Sequence, residues 1–121
     1  MNNLPLLGRI FVAIPFLMFG IMHLMNAEQM AGMAPFGGEI IIYITGLAQI
    51  AAGIAFLSGI QQRLAGLLTA LLMAIYAFTL HLPGVINAAD DMAMQMSMGG
   101  FLKDLGLLGG ALLVAATAKE K

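Results

Sequence analysis

The sequence predicts an all-α integral membrane protein, a four-helix antiparallel bundle with both N and C termini cytoplasmic. Three observations carry that expectation. Of the 121 residues, 61% are apolar and only 9% are charged, with a mean hydropathy of +0.98, well outside the usage of soluble domains. The apolar residues fall into four blocks of roughly twenty, each long enough at 1.5 Å per residue to cross about 30 Å of hydrocarbon. Little chain remains for anything else, so residues 1–121 read as a single transmembrane domain whose main partner is the lipid bilayer.

The first block runs over residues 4–25. Its only charge, Arg9, lies one turn inside, where a long side chain can reach back to the interface. A signal peptide would have a basic leader, a shorter apolar core and a small-residue cleavage site, so this block is expected to stay as a span. Pro15 falls mid-helix and removes one backbone hydrogen bond. The stretch 26–38 (NAEQMAGMAPFGG) reads as a loop with room for a short surface helix. The second block, 39–60, carries no charge after Glu39, and Gln61-Gln62-Arg63 forms a connection so short that the second and third helices must be antiparallel neighbours. The third block, 64–82, is expected to stop at Pro83-Gly84. A mixed loop follows, and the fourth block covers 101–118.

Orientation follows from Lys and Arg, which collect on cytoplasmic flanks. Arg9, Arg63, Lys119 and Lys121 fall on one side, whereas the loops 26–38 and 83–100 carry only acidic residues. Small-residue spacings such as Gly66/Ala70/Ala74 and Ala111/Ala115 suit close helix packing and leave faces for a homo-oligomer. A formal charge of -1 provides no basic surface for nucleic acid. The absence of cysteine excludes disulfides, thiolate nucleophiles, iron–sulfur clusters and Cys-ligated zinc.

Depth counting yields a candidate site. At 1.5 Å per residue, His23 lies about 27 Å up the first helix, His81 about 26 Å up the third, Tyr43 about 26 Å up the second and Lys103 about 23 Å up the fourth. Glu39 sits about a turn above Tyr43, and Asp104 one rise below Lys103. All four helices therefore deliver polar groups to one layer at the outer boundary. Arg9, Phe16, Gly20 and His23 share a stripe of the first helix, and Glu39, Tyr43, Gly46, Ile50 and Gly53 share one of the second. Both stripes are expected to face inwards. Lys103 and Asp104 point about 100° apart and so are expected to seek partners elsewhere, Glu28 or Glu39 for the lysine and either histidine for the aspartate.

Such a layer can simply seal helix ends, or it can bind a polar head group. A quinone needs donors at its carbonyls and proton carriers, which His23, His81, Tyr43, Lys103 and Asp104 could supply. Two histidines at equal depth also fit bis-imidazole haem ligation, a weaker expectation because lone His pairs are common. Met92, Met94, Met96 and Met98 alternate in a way that thioether-bound Cu(I) could use, but Met is equally an adaptable apolar filler, and no metal site is expected.

The segments LGRI, FGIMHL, TGLAQIAAGI, RLAGLLTALLMA, HLP and FLKDLGLLGGALLVA together resemble the DoxX family of small bacterial membrane proteins. The resemblance implies a four-helix bundle related to small subunits of a thiosulfate:quinone oxidoreductase and to partners of other redox enzymes. The positions it carries over are Arg9, His23, His81 and the Lys103-Asp104 pair. Many relatives carry Lys-Asn at that pair, so Asp104 is an added acid. The expected function is thus an inner-membrane subunit or partner of a quinone-linked oxidoreductase system, with His23, Glu39, Tyr43, His81, Lys103 and Asp104 forming the ligand pocket. The sequence does not decide whether the chain is itself an enzyme. The alternative is a non-catalytic membrane scaffold or assembly factor.

Overall fold

The computed structural model describes residues 3–33 and 37–119. Ala34, Pro35 and Phe36, in the expected first loop, and Lys121, on the expected cytoplasmic flank, lie outside the described residues. The elements are helix α1 (Leu4–Met25), a short α2 (Ala27–Met30) with a 3-10 turn (Ala31–Met33), α3 (Gly38–Ser58), α4 (Gln62–Tyr76), a π-helical turn (Ala77–His81), α5 (Leu82–Ile86) and α6 (Asp91–Ala116). Four segments are long and apolar enough to cross a membrane: α1, α3, the continuous stretch Gln62–Ile86, and α6. The described chain is all-helical, and the protein is a multi-pass membrane protein.

Two boundaries depart from expectation. Pro83 does not end the third span: it falls in the first turn of α5, immediately after a π turn. The π turn just before it absorbs the mismatch, with the Leu82 N–H reaching back five residues to the Ala77 carbonyl. The fourth span begins about ten residues earlier than residue 101, at Asp91. Asp90 caps it by accepting the Ala93 N–H at 2.7 Å, and Met92, Ala93, Met94, Gln95 and Met96 that follow are good helix formers despite their low apolar periodicity.

Packing divides the bundle into two tight pairs, α1 on α3 and α4 on α6, with sparser contact between pairs. Small residues make each pair close. A Cβ on Gly20 would lie 2.7 Å from the Gly46 carbonyl oxygen, and one on Gly46 would lie 2.8 Å from the Cβ of His23, so the two backbones touch where His23 leaves α1. Likewise a Cβ on Gly66 would meet the Ala111 carbonyl oxygen at 2.7 Å. In lipid, where hydrocarbon outside is as apolar as hydrocarbon inside, such close approach supplies much of the packing energy. The core at mid-height joins the pairs through Ala13 and Phe16 of α1, Ala52 and Phe56 of α3, Ala70 and Met73 of α4, and Ala111 and Val114 of α6. Phe16 and Phe56 meet edge to face at 5.9 Å.

Candidate functional site

Asp104 follows from the inner stripe of α6. It lies seven residues before Ala111 and eleven before Ala115, so the packing that buries those alanines also buries the carboxylate. Asp104 is 0% exposed, and its Oδ2 accepts from the Nδ1–H of His81. The histidine comes from the π turn. In unbroken α geometry Tyr76 and His81, five residues apart, would point about 140° away from each other. The wider i→i+5 turn narrows that angle, and both side chains reach the same cavity. Phe78 in the turn packs edge to face on Phe101 of α6 at 5.9 Å. A Cβ on Gly100 would lie 2.6 Å from His81 Nε2, so that glycine provides the space for the imidazole beside Asp104.

Lys103 completes this cluster. Its Nζ lies 3.4 Å from Asp104 Oδ1 and 4.4 Å from the centroid of the Phe19 ring. The expected partners of the lysine, Glu28 and Glu39, are exposed. Adjacent residues do diverge by about 100° at the backbone, but the flexible four-carbon stem lets the ammonium swing back over its neighbour. The ion pair does not satisfy Asp104 Oδ1, which is buried and makes no hydrogen bond to any described residue. Low dielectric makes such an unpaired acceptor costly.

On the other wall, His23 Nδ1–H donates to the Phe19 carbonyl at 2.7 Å, which leaves Nε2 as the acceptor for the Gln49 amide at 3.3 Å. The second proton of the Gln49 Nε2 goes to the Tyr76 hydroxyl, also at 3.3 Å. The rings of His23 and Tyr76 lie near parallel, 6.4 Å apart. His23, Gln49, Tyr76, His81, Lys103 and Asp104, with Phe19, Met30, Ile42, Met73 and Leu80, line one cavity of about 210 Å³.

Four of the six sequence-derived candidates thus meet: His23, His81, Lys103 and Asp104. Glu39 and Tyr43 do not line the cavity, and both are exposed. The buried residues of α3 are Ile42, Gly46, Gln49, Ala52, Gly53 and Phe56, so Gly46 and Gly53 of the expected stripe are buried. Glu39 and Tyr43, at its outer end, stand off that face, Tyr43 about 100° round the helix from buried Ile42. Gln49 and Tyr76 were missed because the depth count sets them about 17 and 18 Å up, below the layer at about 23–27 Å that it selects. The available signal was an amide and a phenol standing inside otherwise apolar spans.

The other candidate chemistries also change on folding. Because the segment is helical, Met92 and Met96 share an exposed face one turn apart, while Met94 and Met98 turn to another. For haem, the Nε2 of His23 is engaged by Gln49. Among the described residues no group of three or more His, Cys, Asp or Glu is placed to hold a metal ion.

Arg9 belongs to a second cluster at the opposite end. It donates through Nη1 to Gln62 Oε1 at 2.7 Å, and Gln62 Nε2 donates to the Val114 carbonyl at 2.8 Å, tying α1, α4 and α6 together. Comparison with known proteins places these features in a family: the family model described as DoxX matches residues 4–82. That region contains Arg9, His23, Gln49, Tyr76 and His81, whereas Lys103 and Asp104 lie beyond it. No curated protein and no solved structure matches the chain.

Proposed function

The chain belongs to the DoxX family, and from that premise we propose that it serves as the membrane subunit or partner of a quinone-linked oxidoreductase system in the bacterial inner membrane, binding the quinone head group in the cavity around His81 and Asp104. The observation that carries this reading is the unfilled hydrogen-bond capacity of Asp104 Oδ1, buried beside an imidazole and an ammonium. A quinol presents hydroxyls that donate, and this oxygen accepts no hydrogen bond from any described residue. A quinone presents carbonyls that accept; the Lys103 ammonium can donate to them, and so can the His81 Nε2 once the ring is protonated.

Reduction of a quinone consumes two electrons and two protons. In this reading the partner enzyme delivers the electrons and the cavity handles the protons. His81 is suited to that work, since it is held by the carboxylate at Nδ1, remains 21% exposed and lines the cavity. The Phe19 carbonyl and Gln49 hold His23 in one tautomer, and Tyr76 steadies Gln49, so together they fix the facing wall. The family relationship supports the membrane setting, and the donor set supports the head group.

The test is quinone binding to the purified protein in lipid nanodiscs. His81→Ala and Lys103→Ala are each expected to weaken binding by about tenfold, the equivalent of roughly 1.4 kcal/mol, with membrane insertion intact. Unchanged affinity in both variants would overturn the reading in favour of a membrane scaffold or assembly factor.

A further inference from the structure

The antiparallel neighbours α3 and α4 are joined by only Gly59, Ile60 and Gln61, yet each packs more heavily on a different helix, α1 and α6 respectively. A groove of about 530 Å³ remains between them. Its walls are hydrocarbon, including Ile44, Ala48 and Ala52 on one side and Leu64, Leu68 and Leu72 on the other. Alanines in such numbers normally let helices close on each other. Here the helices stay apart, and the walls would lose dispersion contacts unless something apolar filled the space.

Two observations say what fills it. The first is continuity: Gln49, 1% exposed, lines both this groove and the polar cavity that holds His81 and Asp104. The second is shape. Along α3 the groove runs from Ile44 to Ala55, about 16 Å. Its 530 Å³ spread over that length gives a cross-section of about 32 Å². A single hydrocarbon chain fits within it.

We propose that the α3/α4 groove is the tail subsite of the same ligand, holding the prenyl chain of a quinone whose head group lies beyond Gln49. This rests on the head-group reading above. It adds that the ligand is a membrane-resident amphiphile rather than a small soluble quinone, and that Gln49 marks the junction between its two parts.

The experiment uses the full chain in nanodiscs with three probes: a tail-less quinone, a prenyl-tailed quinone, and the tailed compound with a photoreactive group at the tail's end. Ala48→Phe and Ala51→Phe each fill the groove. Both are expected to weaken binding of the tailed quinone about tenfold and to leave the tail-less affinity unchanged. Photolabelling of the unmodified protein is expected to concentrate on groove residues such as Leu64 and Leu68. Labels spread equally over outward residues such as Leu112 and Leu113, or an unchanged ratio of tailed to tail-less affinity, would overturn the tail subsite while leaving the head-group reading in place. A shift in oligomeric state with an unchanged ratio would overturn it in favour of a second copy. Failure of the unmodified protein to bind even the tail-less quinone would overturn both.

Discussion

The two polar clusters of this bundle use similar residue types for opposite ends. At one end Arg9, Gln62 and the Val114 carbonyl form a chain in which both functional ends of the glutamine are engaged, and Gln62 is buried. At the other end the pairing around Asp104 is incomplete, since one carboxylate oxygen bonds His81 while the other has the Lys103 ammonium beside it but no hydrogen bond among the described residues. A complete network in a membrane protein fixes helices in place. A buried network with spare capacity holds polar groups ready for something else, at a cost that packing elsewhere must offset. The contrast lies in the count of unfilled donor and acceptor positions, and charge alone would not reveal it.

The sharpest way to break this comparison is at Asp104. Asp104→Ala removes the acceptor for His81 and the partner for Lys103, and charge-assisted hydrogen bonds contribute about 1.5–3 kcal/mol. A roughly ten- to hundredfold loss of quinone affinity is therefore expected by titration in nanodiscs; an unaltered titration would mean that the cluster is as structural as its counterpart. Gln62→Leu should do the reverse. It leaves the Val114 carbonyl and Arg9 without their partner, so thermal or denaturant unfolding in detergent should show a stability loss of about 1–3 kcal/mol with unchanged ligand affinity. A fall in affinity comparable to that of Asp104→Ala would erase the distinction between the two ends. The smallest effect is expected at Gln49, whose hydrogen bonds are neutral and long. Gln49→Leu should cost only about 0.5–1.5 kcal/mol, divided between stability and binding, and the proportion measured would show whether the His23 wall belongs to the site or to the scaffold.

Much of the architecture is legible from sequence because length and hydropathy are nearly sufficient for a membrane span. The first span is read to its end residues, Leu4 and Met25, and the second within two. The start of α6 is not, because DDMAMQMSMGG lacks the apolar run on which the reading depends, and its helicity comes from the Asp90 cap and from backbone propensity. Heights of polar groups are legible too, since rise per residue hardly varies. Facing is less so. On α1 the stripe containing Phe16, Gly20 and His23 is sound, but on α3, where nearly every residue is apolar, the expected stripe holds at Gly46 and Gly53 and not at Glu39 and Tyr43, and the polar residue on the buried face is Gln49. The swing of Lys103 back to its neighbour depends on side-chain flexibility that no spacing rule captures.

The π turn at Ala77–His81 holds a surplus backbone unit. Removing one residue there would restore ordinary winding and leave Tyr76 and the histidine four residues apart, about 40° around the helix, so both would still face the same side. The wider winding is what lets the longer stretch keep its imidazole beside Asp104. A homologue with one residue fewer and no such turn would therefore keep the two side chains on one face.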